Sequence, residues 1–275
     1  MNDPHAALDA IGQLPDVEID VADAALQLAR VDAPDADWQA ARAHLSALAR
    51  DAIQQCQGVA ADDLLAQSRA LHALVADKHK YRGDAETYDD PINANLIRVI
   101  ERRRGLPVAL GIIWLHTARA VGWIASGIDF PAHFLIALSH RDRQVVIDAF
   151  AHGALLDARA LRVLLKSVEG DKAELRPDLL RPMSNRAVLL RLQNNIRTRR
   201  LNAGALSQAL ACGEDMLRIA PDHAALWREV ALMHQRLDHV TAALRCFERF
   251  VSLAPTGEAA TRARAAIDEL RSRLN

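Results

Sequence analysis

The chain has 275 residues, 51% hydrophobic and 25% charged, and its 34 basic and 35 acidic side chains give a formal charge of −1. This balance is typical of an ordinary globular protein, and it excludes a strong overall positive field for capturing nucleic acid. The three cysteines, Cys56, Cys212 and Cys246, are too few and too scattered for a disulfide framework or a zinc site. We therefore expect reduced thiols, no metal and no cofactor.

The first ten residues, MNDPHAALDA, lack the basic-then-apolar order of a signal peptide. The least charged stretch, Gly105 to Ala118, is too short to cross a bilayer and is followed by Arg119. These patterns predict a soluble, cytoplasmic protein with no membrane insertion.

Residues 1–60 are predicted to form an N-terminal helical region. The segment Trp38 to Gln57 has a helical period that places five residues near one apolar face: Ala41, Leu45, Leu48, Ile53 and Cys56. A second helix is predicted to begin at Asp62 and to run towards Lys80.

A new helix is predicted after Asp89-Asp90-Pro91, because carboxylates before a proline are typical of a helix start. Arg102, Arg103, Arg104 and Gly105 are expected to end it, since basic residues complement the helix dipole and glycine suits the cap. We prefer this structural interpretation of the arginine run to a nucleic-acid contact, and we expect no nucleic-acid partner.

The helix predicted from Pro107 is apolar on most sides, which indicates burial at the centre of its domain. Three runs rich in branched residues follow and predict a small antiparallel sheet packed on this helix: Ile124 to Phe130, His133 to Leu138 and Gln144 to Ile147. A further helix is predicted from Leu156 to Val168. We assign residues 61–168 to this core and residues 169–185 to a linker.

Two similar segments lie 34 residues apart, Ala209 to Pro221 and Ala243 to Pro255, because 243 minus 209 is 34. This spacing is the length of a tetratricopeptide unit, a helical hairpin that stacks on its neighbours. Residues 186–275 are therefore predicted to form tetratricopeptide-like repeats that bind a protein or peptide partner. The signature positions are Ala209, Pro221, Trp227, Ala231, Ala243, Phe247 and Pro255. The first unit is degenerate, with Gly213 where the second has Phe247.

Four motifs in the core occur in a characteristic order: Tyr88-Asp89-Asp90-Pro91, Gly105 to Gly111, Pro131 to Leu135, and Val146 to Phe150. Together with the repeats, over roughly Asp62 to Asn275, they resemble the bacterial SirB-type family. The resemblance implies an α+β, mostly helical fold. It consists of a papain/transglutaminase-like core with a small antiparallel sheet, followed by a tetratricopeptide-type helical hairpin domain.

In the wider superfamily, a cysteine at the start of the central helix acts with a histidine and an aspartate on adjacent strands. By resemblance His133 and Asp148 occupy the last two positions, and His152 is close enough in sequence to join the same pocket. Ala109 or a near neighbour occupies the nucleophile position, where an alanine methyl cannot attack a carbonyl. His133 and Asp148 could then tie two strands together or line a retained binding cleft.

Two functions are compatible with these residues. The first is a non-catalytic, degenerate transglutaminase-like protein that acts as an adaptor or regulator by binding protein partners. The alternative is a cysteine or serine hydrolase, or an acyltransferase, that uses His133 and Asp148 with a displaced nucleophile. Cys56, Ser126 and Ser139 are candidates for that nucleophile, but none is predicted at a helix N-terminus.

Overall fold

A computed structural model describes residues 3–274, and the chain divides into two compact units. The core unit is Pro15–Leu192, and the repeat unit combines Gln193 onward with the segment that ends at Leu14. Among the residues described, no helix is long and apolar enough to cross a membrane.

Helices make up most of both units. Those of the core unit are α2 (Val21–Asp32), α3 (Trp38–Gln55), α4 (Leu64–Leu71), a π-helix (His72–Lys78), α5 (Leu96–Arg102), α6 (Pro107–Ala120) and α7 (Ala158–Glu169). Those of the repeat unit are α1 (Pro4–Gln13), α9 (Leu206–Ile219), α10 (Ala224–Arg236), α11 (Val240–Leu253) and α12 (Glu258–Ser272), and α8 (Asn185–Asn202) contains the boundary between the units.

Within residues 3–274, the strands all lie in the core unit. They are β1 (Arg82–Gly83), β2 (Arg104–Gly105), β3 (Ile124–Phe130), β4 (His133–His140), β5 (Arg143–Asp148) and β6 (Ala154–Leu156). The first two form a short parallel pair, and the other four form an antiparallel sheet in the order β3-β4-β5-β6. The predicted α+β, mostly helical fold with a small antiparallel sheet is confirmed.

The sheet lies between two helices. On one face Phe134 packs against α6, and a Cβ atom placed on Gly111 would lie only 2.3 Å from the Phe134 ring. On the other face Leu135, Ala137 and Val146 pack with Leu161 and Leu165 of α7. The helix α6 is buried along most of its length, as its apolar sequence predicts.

The burial of α3 differs from the prediction at one residue. Ala41, Leu45, Leu48 and Cys56 are buried, but the Ile53 side chain is 57% exposed and Ala52 is buried instead. Ala52 lies four residues after Leu48 and therefore stays on the buried face, whereas Ile53 is rotated away from it.

The end of α5 also differs from the prediction. Arg103, not Gly105, adopts the left-handed cap conformation, with φ of 58°. Gly105 lies in β2, where an added Cβ atom would be 2.7 Å from Val99. The glycine is therefore required by close packing rather than by the helix cap.

The segment predicted as a linker, residues 169–185, contains a 3₁₀ turn at Pro177–Leu180. Leu175, Leu179 and Leu180 pack on the apolar cluster beneath the sheet, and Pro182 bridges to Ile128 of β3. This segment lies within the core unit.

The repeat unit contains the predicted hairpins. Ala209, Ala231 and Ala243 are fully buried and Phe247 is nearly so, as expected for positions where helices approach closely. Pro221 and Pro255 follow the ends of α9 and α11. Gly213 is buried against α10, and a Cβ atom there would lie 2.9 Å from Val230 and 3.0 Å from Met233. Trp227 donates from its indole N–H to the Pro221 carbonyl at 2.7 Å.

Candidate functional site

The predicted nucleophile position lies at the start of α6. Leu106 is the N-cap residue, Pro107 begins the helix, and Ala109 is fully buried in the first turn. The sequence from Pro107 to Gly111 has no hydroxyl or thiol side chain. This helix start therefore has no group that could attack a carbonyl.

His133 and Asp148 lie at neighbouring ends of β4 and β5, and both are half-buried. His133 is opposite Phe130 in the sheet register. Since side chains alternate along a strand, His133 belongs to the face of Phe130 and Leu135, which packs on α7, and Phe134 belongs to the α6 face. The same alternation places Asp148 with Val146 on the α7 face.

The Asp148 carboxylate accepts hydrogen bonds from the backbone of the turn that follows it. Its Oδ1 atom accepts from the backbone N–H groups of Phe150 (2.9 Å) and Ala151 (3.1 Å). This arrangement shapes the turn after β5, a local use of aspartate that is common in proteins. Within residues 3–274, no hydrogen bond or ion pair joins Asp148 to His133.

The cysteines lie in apolar surroundings. Cys56 caps α3 and is buried, and desolvation raises the pKa of its thiol. Burial, followed by the charge of Glu214, raises the pKa of Cys246 to about 11. Cys212 accepts from Arg200 at 2.8 Å. A thiol with a raised pKa has little thiolate near neutral pH and is a poor nucleophile.

The arginine run contacts side chains within the core unit. Arg102 donates to Asp84 at 2.7 Å and to Asn93 at 2.8 Å, and Arg104 pairs with Glu86 at 3.2 Å. Arg103 donates to the Tyr81 hydroxyl at 2.6 Å and faces His44 Nδ1 at 3.2 Å. The three arginines therefore contact other side chains of the folded core unit.

A cleft of about 600 Å³ in the core unit is lined in part by Asp20, Leu115, Arg119 and Trp123. Arg119 donates from two guanidinium nitrogens to the Ala125 carbonyl, at 3.0 and 3.1 Å. The residues that line this cleft include neither His133 nor Asp148.

His152 lies with two other ligand-type residues of the core unit. It has a left-handed backbone, with φ of 58°, in the turn between β5 and β6. Its Nε2 atom is 3.9 Å from Asp77 Oδ1, and His72 Nε2 is 3.5 Å from Asp77 Oδ2. His72 and Asp77 belong to the π-helix. The sequence does not predict that these two residues meet, because a spacing of five indicates no shared face on an α-helix.

A groove of about 300 Å³ runs between α10 and α12 in the repeat unit. Arg228, Leu232 and Gln235 contribute one side, Arg262 and three alanines of α12 contribute the other, and Phe247 is also in the lining. Leu232 is 44% exposed. The Arg228 Nε atom is buried and has no hydrogen-bond acceptor among the described residues. We call this feature the arginine groove.

The two arginines of the groove occupy equivalent places in successive repeats, since 262 minus 228 is 34. The apolar signature positions alone do not reveal this match. A search for charged residues at the repeat period would have found it.

Two family profiles match the chain. A transglutaminase-like superfamily profile matches residues 39–194, and a tetratricopeptide repeat profile matches residues 196–268. The first begins before Asp62, where the resemblance was expected to start, and therefore includes Cys56.

Several curated proteins are similar to this chain. A UPF0162 protein of Xylella fastidiosa (strain Temecula1) is 32% identical over 193 residues, 68% of each chain. A UPF0162 protein of Vibrio cholerae is 26% identical over 243 residues, 88% of this chain and 89% of the relative. Protein SirB1 of Salmonella typhimurium is 25% identical over 182 residues, 64% of this chain and 65% of the relative. No solved structure matches the chain significantly.

Proposed function

The chain belongs to the SirB-type family, with a transglutaminase-like core followed by tetratricopeptide repeats, and on that premise we propose that it is a non-catalytic protein-binding adaptor. Its arginine groove binds an extended, acidic segment of a partner protein. The core unit serves as a folded scaffold without acyl-transfer chemistry.

The observation that carries this proposal is the buried Arg228 Nε atom without an acceptor. A guanidinium group can only donate hydrogen bonds, and a buried donor without a partner costs free energy. A carboxylate bound in the groove would oppose the positive charge of the Arg228 guanidinium, and a rotation of the Arg228 side chain would let its buried Nε–H donate to that carboxylate.

The rest of the groove sets the shape of the ligand. The exposed face of Leu232 and the alanines of α12 form an apolar surface that suits an aliphatic side chain. Arg262, 34 residues from Arg228, offers a second guanidinium group, and its side chain is 76% exposed beside Glu258. A segment in which acidic and aliphatic residues alternate fits this pattern, and an incoming carboxylate would compete with Glu258.

The non-catalytic part of the proposal rests on the helix start at Pro107–Gly111, which has no nucleophile, and on the buried thiols with raised pKa. The hydrolase alternative needs a reactive residue elsewhere. Rapid labelling of Cys56 by a cysteine-directed probe at neutral pH, weakened by His133→Ala, would contradict the proposal. Slow labelling that is indifferent to this substitution is expected.

The binding claim is tested with a fluorescein-labelled peptide of alternating Glu and Leu residues and the full-length chain. We expect anisotropy to report saturable binding that weakens as salt rises, because opposite charges are screened. Arg228→Gln should weaken the affinity by about tenfold or more, in the range of a lost charge-assisted hydrogen bond.

Arg249→Gln is the matched control. Arg249 lies on α11, pairs with Asp222 at 3.0 Å and does not line the groove. The Arg249→Gln variant should bind the peptide with the affinity of the wild type. Equal losses in both variants, or equal affinity for a peptide with Gln in place of Glu, would contradict the proposal.

A further inference from the structure

Three side chains of metal-ligand type meet on the surface of the core unit, whereas the arginine groove belongs to the repeat unit. One ligand atom from each of His72, Asp77 and His152 lies within 4.8 Å of the other two. His72 is half-buried, and Asp77 and His152 are exposed. The rings of His72 and His152 meet edge to face, with centroids 5.4 Å apart.

The π-helix explains why His72 and Asp77 are neighbours. On an α-helix, residues five apart point about 140° away from each other, because each residue turns the chain by about 100°. A π-helix is wider and is hydrogen-bonded between residues five apart, which returns the side chain to the same side. Such turns are uncommon and occur frequently at functional sites.

His152 is held in place by a second unusual backbone feature. Its left-handed conformation is disfavoured for residues other than glycine, and such strain often accompanies functional positions. Gly153 follows with φ of 76°, and a Cβ atom there would lie 2.3 Å from Trp114 and 3.1 Å from His72 Nδ1. The turn thus comes close to His72 because residue 153 has no side chain.

From this convergence we propose that His72, Asp77 and His152 bind a divalent transition-metal ion of the Zn²⁺ class. Two imidazoles and a carboxylate are the protein ligands of many such sites, and three protein ligands leave a coordination position open. The cysteine pattern, which predicts no metal site, carries no information about these two histidines and this aspartate.

The geometry is close to what an ion requires. A tetrahedral ion with bonds of about 2.1 Å separates its ligand atoms by about 3.4 Å. His72 Nε2 lies 3.5 Å from Asp77 Oδ2 and His152 Nε2 lies 3.9 Å from Asp77 Oδ1, and one ligand atom from each of the three residues lies within 4.8 Å of the other two. Small rotations of the exposed Asp77 and His152 side chains would bring all three atoms onto one ion.

The test uses the full-length chain after treatment with a chelator. Calorimetric titration with Zn²⁺ should show one equivalent bound, and Co²⁺ should give the visible absorption bands of a protein-ligated ion. His72→Gln and Asp77→Asn should each weaken the binding by at least about tenfold, because loss of a group that merely hydrogen-bonds to a metal ligand already costs about 10–100-fold.

His152→Gly separates metal binding from folding. Glycine accepts the left-handed backbone, so this variant should remain folded by circular dichroism and still lose at least about tenfold in Zn²⁺ affinity. His140→Gln, in the β4–β5 hairpin of the same unit, should bind as the wild type does. Absence of binding to the wild type, or equal binding by wild type and His152→Gly, would overturn the proposal.

Discussion

His44 is a histidine of α3 that the core unit keeps uncharged. Its Nδ1 atom faces the Arg103 guanidinium at 3.2 Å, so this nitrogen must accept and the ring proton lies on Nε2. That Nε2 atom is buried without a partner among residues 3–274. Burial first, and then the charges of Arg103 and His79, lower the pKa of His44 to about 4.

This pKa predicts a pH dependence of stability. The unfolded chain takes up a proton near pH 6.5, whereas folded His44 resists protonation down to about pH 4. The contribution of His44 is therefore complete above about pH 6.5 and is lost as the pH falls towards 4. We expect the free energy of unfolding to decrease over this range.

The measurement is chemical denaturation at several pH values between 7 and 4.5. His79, Asp51 and His116 also surround the ring. Comparison with His44→Gln isolates the contribution of His44 to the slope, since the glutamine amide can still accept from Arg103. The variant should show a shallower slope, and parallel slopes would refute the role given to His44.

The helix pairs of the repeat unit depend on small residues at their contacts. Ala243 of α11 is fully buried, in a helix that packs against α10 and α12. We therefore expect a larger side chain at this position to displace a neighbouring helix.

Ala243→Leu should destabilise the protein by about 1–3 kcal/mol, the usual cost of overpacking a tight contact. Ala225→Leu, at an exposed position of α10, is the control and should change stability by no more than about 0.5 kcal/mol. Denaturant titration measures the free energy of unfolding of both variants and of the wild type. Similar effects at the two sites would show that Ala243 does not limit the helix approach.

The sequence predicts most of the helices and strands, because capping residues and hydrophobic periodicity are local signals. The helix starts at Trp38 and Pro107 and the strand starts at Ile124 and His133 are found where the patterns place them. The strand β6 was not predicted, since Ala154-Leu155-Leu156 has no branched residues and forms only by pairing with β5. The π-helix was also missed, because its residues have an ordinary helical pattern.

The N-terminal helix α1 belongs to the repeat unit, although the other helices of that unit lie at the opposite end of the sequence. Leu8 of α1 is fully buried, and Gly12 packs so closely that a Cβ atom would lie 2.1 Å from the Arg218 carbonyl of α9. Asp9 pairs with Arg218 at 2.8 Å. Nothing in the local sequence indicates a contact across some 200 residues.

Leu8→Ala should lower the stability of the repeat unit by about 2–4 kcal/mol, as for other buried leucines. Hydrogen exchange in α9 reports this change separately from the core unit. Asp9→Asn removes only an exposed ion pair and should cost no more than about 1 kcal/mol. Unchanged exchange in α9 of Leu8→Ala would contradict the assignment of α1 to the repeat unit.

The functional residues were predictable only in part. His133, Asp148 and Ala109 were proposed by resemblance, and the structure places the histidine and aspartate on the sheet face towards α7. The arginine groove and the His72, Asp77 and His152 cluster were not proposed, because both depend on backbone geometry that joins distant positions. Burial of the Arg228 Nε atom, in particular, is a property of the packed helices.

Binding of an acidic partner segment in the arginine groove can be detected by hydrogen–deuterium exchange of the full chain with and without the Glu/Leu peptide. We expect the peptide to slow exchange in α10 and α12, and we expect this protection to be lost in Arg228→Gln and retained in Arg249→Gln. Protection confined to the core unit, or no protection at peptide concentrations that saturate the anisotropy signal, would contradict it.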